Sequence, residues 1–304
     1  MNKNELRPYI IGLLAGVATA CLFAIAGLAL LKTGRLGVSI FLMLPVATGF
    51  AVAMAAWPRP TIWWSLVFLV LTSVIGLIAS GLEGWVCCLM ALPLIVPGLI
   101  CGALFGLLIR RWARQTGRRL ACIALAVVLL PVTYAAEQKE SETKRVETVK
   151  SSVLLKAAPQ EVWERIKSID QVDGERSFWL KIGLPVPKKC VLFKEAVGGK
   201  RVCYFSSGEI YEEITGWSPP YRMEVRIVKS TLPGRHWLGF VDARYELQSQ
   251  GSYTLLSRTT RISSRLEPAW YWRRMEHLGV QVEHEYILKQ LERVFDKPIP
   301  KVVR

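Results

Sequence analysis

The chain has 304 residues, with 39 Lys and Arg against 24 Asp and Glu, a net charge of +15, 52% hydrophobic residues and a mean hydropathy of +0.30. These averages exclude a disordered or collagen-like chain, but they conceal a seam. Residues 1–136 hold 10 basic and 2 acidic side chains and residues 137–304 hold 29 and 22, so the first part is too apolar for water and the second has an ordinary soluble composition.

A bilayer core about 30 Å thick needs roughly 20 apolar residues of helix. Five segments free of Lys, Arg, Asp and Glu meet or approach this: 8–31, 38–57, 61–80, 85–109 and 120–136. The last is the weakest, 17 residues long and interrupted by Pro131. The first is too long for the apolar region of a cleaved signal peptide, and further spans follow at once. The loop 110–119 carries five arginines (Arg110, Arg111, Arg114, Arg118, Arg119), whereas 81–84 has no basic residue, which places the former in the cytoplasm. Counting outward, Lys3, Arg7 and Arg59 are inside, Lys32 and Arg35 outside, and five crossings bring the C-terminal part outside. Lys139, Lys144, Arg145 and Lys150 on that side oppose this orientation; if the fifth segment does not cross, the domain is cytoplasmic.

Charge-free spans argue against an ion-coupled transporter, whose path needs intramembrane ionisable groups. In the fourth span Gly98, Gly102 and Gly106 bare one helix stripe for close backbone approach. Packing within the bundle and a homo-oligomer both fit it. Pro93 and Pro97 imply a kink in the same span. Five of the seven cysteines (Cys21, Cys87, Cys88, Cys101, Cys122) lie in the spans, where thiols act as small apolar groups.

Residues 137–148 alternate in charge and read as a linker or stalk before a domain at 149–304. A strand over 146–156 runs into a helix at 157–166, with Pro159 in its first turn and Val162, Trp163 and Ile166 on one face. Strand-like runs follow at 189–194, 201–205, 209–217, 221–229, 240–247 and 253–262, separated by turn residues such as Gly198-Gly199 and Ser218-Pro219-Pro220. Glu267-Pro268 opens a long helix to about Phe295, with Met275, Leu278, Val282, Ile287 and Leu291 at helical spacing. Strand, helix, strand meander and one long helix imply a curved antiparallel sheet covered by that helix, with an apolar pocket between them. Cys190 and Cys203 flank the Gly198-Gly199 turn. A cross-strand disulfide is open to them, but register is not legible to one residue, which favours two buried thiols.

Three stretches carry a family resemblance: Ser152-Val153-Leu154-Leu155-Lys156-Ala157-Ala158-Pro159-Gln160-Glu161-Val162-Trp163; 201–217 with Pro219-Pro220; and Trp270-Tyr271-Trp272 through His284 to Leu291. Over residues 146–296 the sequence resembles the START-like superfamily, also called SRPBCC, the polyketide cyclase/dehydrase and lipid-transport group, in its membrane-anchored bacterial form. The resemblance implies an α+β helix-grip fold, here preceded by an all-α multi-span transmembrane region, a cavity for hydrophobic ligands, and residence in a bacterial inner membrane. It fixes no chemistry.

Of the three histidines, His236 falls in a loop, while His277 and His284 lie seven apart on one face of the long helix. Surface or hydrogen-bonded roles compete with acid–base roles for both. A metal site lacks a third ligand in phase, so no metal is expected, and no cofactor is called for. Glu209, Glu213 and Asp242 near Tyr211 and Arg244 are acid–base candidates on paper, but strand alternation turns some of them to solvent. No GxSxG, Walker loop or HExxH occurs. Trp237, Trp270, Tyr271 and Trp272 beside Arg235, Arg265, Arg273 and Arg274 suit equally a membrane boundary and a helix start packed on the sheet. Basic residues spread over both parts do not point to nucleic acid.

The expected protein is therefore a membrane-embedded binder of a lipid or other hydrophobic small molecule, with its domain outside the cytoplasm. Met275, Leu278, Val282, Tyr211 and Tyr245 are the cavity candidates. The alternative is a cyclase or dehydratase using His277, His284 or Tyr211 in the same cavity.

Overall fold

A computed structural model describes residues 3–31, 37–79, 84–140, 145–235 and 237–296. His236 lies outside them, as do Lys32, Arg35 and Lys144. The chain divides into two compact units, with the boundary at Arg145 and with Arg265–Trp270 grouped with the first.

The first unit is helical: α1 (Lys3–Leu31), α2 (Leu44–Ala55), α3 (Arg59–Ala79), α4 (Trp85–Gln115) and α5 (Arg119–Glu140). Four of these are long and apolar enough to cross a membrane. The short one is α2, preceded by a π-helical turn at Ser39–Met43. The weak segment is thus the second and not the fifth. Pro45 has no N–H to return to the carbonyl of Phe41, so the turn before it widens, and Pro58 disfavours helical backbone at Trp57. In α5 the helix continues through Pro131, since breaking it in apolar surroundings would leave further backbone groups with no water to satisfy them.

Small residues set the packing of α2. A Cβ on Gly12 would fall on the Trp57 carbonyl, one on Gly16 would meet Ser65 and Ala56, and one on Gly27 would meet Leu44, so α1 runs antiparallel to α2. Gly98 abuts Pro45, Gly102 the Val46 carbonyl, and Gly106 Ala53 and Phe50, so α4 runs parallel to it. The glycine stripe is therefore occupied within the chain. This corrects its use for a homo-oligomer: the bared backbone already has a partner helix. The Glu137 carboxylate at the end of α5 accepts the Val38 N–H (2.6 Å) and the Ser39 N–H (3.2 Å). The buried Arg110 of α4 donates to the carbonyls of Ala53 and Ala56, with its guanidinium 4.9 Å from the Trp57 ring centroid. A carboxylate at the start of α2 and a cation at its end both complement the helix dipole. The helices alternate in direction, so the start of α1 and the end of α5 lie at opposite ends of the bundle.

The second unit is a seven-stranded antiparallel sheet of order β1-β7-β6-β5-β4-β3-β2. Its strands are β1 (Arg145–Leu155), β2 (Pro187–Leu192), β3 (Lys200–Phe205), β4 (Gly208–Ser218), β5 (Arg222–Ser230), β6 (Leu238–Gln250) and β7 (Tyr253–Ser264). Three helices accompany them: α6 (Pro159–Lys167), α7 (Phe178–Lys181) and α8 (Ala269–Asp296). This is the helix-grip architecture, a curled sheet with a long C-terminal helix. Of the expected linker at 137–148, residues 137–140 are the last turn of α5 and 145–148 the first residues of β1, while 141–144 lie outside the described residues. Its charges are functional in the fold, since Arg145 and Glu147 sit in phase with the inward-facing Val149 and pair with each other at 3.2 Å.

The core joins the inner face of the sheet to α6 and α8. Trp163 packs edge-on to Trp217 (4.9 Å between centroids), and Met223, Val225, Leu256, Ile287 and Leu291 close around them. Cys190 and Cys203 are not free thiols: they stand directly opposite across β2 and β3, with Cα atoms 4.1 Å apart, and are joined as a disulfide.

Candidate functional site

Helix α8 turns Trp272, Glu276, Val280, His284, Ile287 and Leu291 toward the sheet. Three polar clusters lie along this seam. In the first, Glu276 receives Arg145 (2.6 Å) and the Ser264 hydroxyl, while Glu147 accepts from Arg273 (2.8 Å) and stands 3.7 Å from His277.

His284 forms the second cluster. It is fully buried, with Nε2 2.8 Å from the Thr260 hydroxyl and Nδ1 3.1 Å from that of Ser151. Burial, aided by the positive charge of Arg258, holds its pKa down to about 2, so the ring is neutral. A neutral imidazole carries one N–H, so one hydroxyl donates to the ring and the other accepts from it.

The third cluster is charged. Arg258 pairs with Glu283 (3.0 Å), Arg201 pairs with Glu212 (2.6 Å), and the guanidinium carbons stand 5.4 and 5.6 Å from the Tyr245 ring centroid. Arg201 also donates to the carbonyls of Ile166 and Lys167, tying α6 to β3. Burial, the largest single influence, would lower the pKa of Arg201, but Glu212 and Tyr245 together outweigh it and the net direction is up. Burial also raises the Glu283 carboxyl, against the pull of Arg258. Arg258 Nε is buried with no hydrogen-bond partner among the described residues.

Between β2 and α8 the interior is closed by residues 168–186, a strap whose only helix is α7. It is pinned at one edge by the backbone pairs Ile169 with Cys190 and Val172 with Lys188. At the other, the Tyr286 hydroxyl accepts the Gly174 N–H (3.2 Å) and faces the carbonyls of Val172 (3.3 Å) and Gly174 (3.4 Å). A Cβ at Gly174 would lie 2.8 Å from the Tyr286 ring, so the strap needs glycine to sit this close. Its own Leu180 and Val186 are buried in the core, with its Trp179 and Leu184 packed at the margin.

The sequence candidates separate. Val282 and Tyr245 are buried in the interior, and Leu278 packs against its edge. Met275 is half-buried. Leu278 and His277 also line an open groove of about 390 Å³ with Arg273, Arg274 and Gln281. Tyr211 lies on the outer sheet face, donating to Glu209 with Lys229 near its ring, because the alternation that sends Ile210 and Glu212 inward sends it out. Glu213 and Asp242 also face outward, paired with Arg226 (2.9 Å) and Arg261. The two histidines do not act together: His284 is sealed and His277 stands at the half-exposed rim. The aromatic stretch divides as well, with Trp272 buried against Tyr271 and Trp270 exposed. Sequence reading missed Arg258, Glu283, Arg201, Glu212, Ser151 and Thr260. The available signal was phase: Arg258 lies in step with Leu256 and Ile262, and Glu212 with Ile210 and Ile214.

No family model matches the chain, and no curated protein matches it. Among solved structures it is similar to the Zhui aromatase/cyclase from Streptomyces sp. R1128, with 13% identity and a TM-score of 0.37 over 50% of this chain and 94% of that one. A START superfamily protein from Mycobacterium smegmatis is similar at 13% identity and TM-score 0.36, over 49% and 97%. Ginseng major latex-like protein 151 from Panax ginseng is similar at 11% and 0.35, over 50% and 99%. At these identities they carry nothing about the chemistry of this chain.

Proposed function

We propose that this is a membrane-spanning protein whose C-terminal domain, on the non-cytoplasmic side of a bacterial inner membrane, holds a lipid or other hydrophobic small molecule between sheet and C-terminal helix. The observation that carries this reading is the construction of the apolar interior: one wall is a strap that belongs neither to the named strands nor to α8, pinned by a few hydrogen bonds and by the buried side chains of Ile169, Val172, Leu180 and Val186. Sheet and helix supply permanent apolar walls, and the strap supplies an entrance. The side of the membrane is supported by two features. Among the described residues the arginine-bearing helix ends lie at the end of the bundle opposite Glu140, and the Cys190–Cys203 bridge suits an oxidising compartment.

The enzymatic alternative loses two of its three acid–base candidates and keeps His277 at the half-exposed rim. His284 stays unprotonated at any pH near neutrality and has no solvent access, and Tyr211 points away from the interior. The test is organic extraction and mass spectrometry of the purified full chain, beside Ala243→Trp, which fills the interior from β6. Binding predicts a near-stoichiometric apolar molecule in the wild type that Ala243→Trp loses while retaining its melting transition. The same extract from both proteins, or no such molecule from either, would refute the proposal.

A further inference from the structure

We infer that the arginine-rich end of the helical unit is a binding surface for anionic phospholipid headgroups. It is separate from the sheet-and-helix interior and independent of what that interior holds. Arg7, Arg59, Arg111, Arg114, Arg118 and Arg119 are gathered at this end by the alternating helix directions: Gly12 against Trp57 brings the start of α1 beside the α2–α3 turn. Arg110 against the Ala53 and Ala56 carbonyls brings the end of α4 there too. The turn between α4 and α5 is tight, with the Arg118 N–H donating to the Ala113 carbonyl at 3.0 Å.

None of these six arginines forms an ion pair among the described residues. In the second unit, by contrast, Arg201, Arg222, Arg226, Arg258 and Arg261 each hold a carboxylate. The protein neutralises its guanidinium groups where it has carboxylates to do so, and at this end it leaves them open. Two further observations point to the ligand. Arg119 Nε is a buried donor with no partner among the described residues, at the start of α5, whose first turn has no acidic residue. The positive end of that helix dipole therefore adds to the arginine field. Exposed Trp64 and Trp112 lie at the same level, with Arg118 6.0 Å from the Trp112 ring, the side-chain chemistry of the headgroup layer. At the end of membrane-crossing helices, the anion that meets such a surface is a lipid phosphate, and anionic leaflets attract each basic residue close to them.

The experiment uses the full chain in neutral detergent, titrated separately with phosphatidylglycerol and phosphatidylcholine and read by native mass spectrometry. A single-stranded oligonucleotide and inorganic phosphate serve as non-lipid arms. Phosphatidylglycerol should bind at about tenfold lower concentration than phosphatidylcholine, and 0.5 M salt, roughly the upper range of screening, should erase the difference. The quadruple substitution R111Q/R114Q/R118Q/R119Q should bring the two lipids to parity, while R226Q/R244Q on the outer sheet face should leave the preference intact. Should the quadruple variant fail to insert, the wild-type comparison decides alone. Equal binding of the two lipids by the wild type, or an oligonucleotide or phosphate that displaces phosphatidylglycerol, would overturn the inference.

Discussion

At the scale of single residues, the interior of the domain is governed by what burial does to charge. His284 has an ordinary pKa when unfolded and one of about 2 when folded, so below about pH 6.5 the unfolded chain takes up a proton that the folded chain refuses. Stability from this group is therefore complete above pH 6.5 and declines as pH falls. The loss reaches about 2 kcal/mol at pH 5, from 1.36 kcal/mol per pH unit below 6.5. Thermal melting of the full chain between pH 7.5 and 5 should show this slope, and His284→Gln, which keeps hydrogen bonding without titrating, should flatten it. An unchanged slope in the variant would mean that other groups carry the acid sensitivity. Arg258 and Glu283 obey a different balance. Removing one partner leaves an uncompensated charge in the interior, at a cost of about 3–5 kcal/mol, whereas removing both leaves none. Arg258→Met should thus destabilise strongly and Arg258→Met with Glu283→Leu far less, a non-additivity readable from chemical denaturation of the three proteins.

At the scale of elements, the β2–β3 hairpin shows how one misplaced turn changes a chemical conclusion. A two-residue turn at Gly198-Gly199 would put Cys190 opposite Ser207. The loop instead occupies Phe193–Gly199, and Leu192 faces Arg201, which brings Cys190 opposite Cys203. The bridge spans a sequence separation of 13, which corresponds to about 3 kcal/mol of restricted unfolded chain. Replacing both cysteines by alanine should remove about that much from the denaturation free energy, and alkylation without reduction should label neither residue in the wild type. The strands themselves were legible, because alternation and turn residues mark them, and the same is true of α8, whose apolar spacing holds over most of its length. The strap and α7 were not, since Phe178–Lys181 is a single turn too short for any period to register. Nor were the buried ion pairs legible: an arginine within an apolar stripe looks like a solvent-facing residue until its carboxylate is found on a distant element. Arg258 meets Glu283 across 25 positions of sequence, and Arg145 meets Glu276 across 131.

At the scale of the whole molecule, topology rests on whether α2 crosses, since hydropathy and length alone would leave four long spans and return the domain to the cytoplasmic side. The packing argues otherwise. α2 together with its π-helical lead is 17 residues, about 25 Å at 1.5 Å per residue, close to the hydrocarbon thickness. It can be short because α1, α3, α4 and α5 all pack against it, so lipid does not set its length. Its two ends are met by Glu137 and Arg110 from opposite ends of the bundle, the arrangement that the proposed topology requires of a crossing element. On the proposed topology, five alternating helices put the start of α1 and the end of α5 on different sides. Alkaline phosphatase fused after Arg304 should therefore be active and a fluorescent protein at the same site dark, with the reverse for fusions at the N-terminus. Arg110→Met should weaken this arrangement, because the carbonyls of Ala53 and Ala56 then lose their donor in a place without water. A mixed-activity fusion in that variant, beside a clean one in the wild type, would identify Arg110 as the residue that commits α2 to cross. Clean cytoplasmic fluorescence from the wild-type C-terminal fusion would instead mean that an even number of helices crosses.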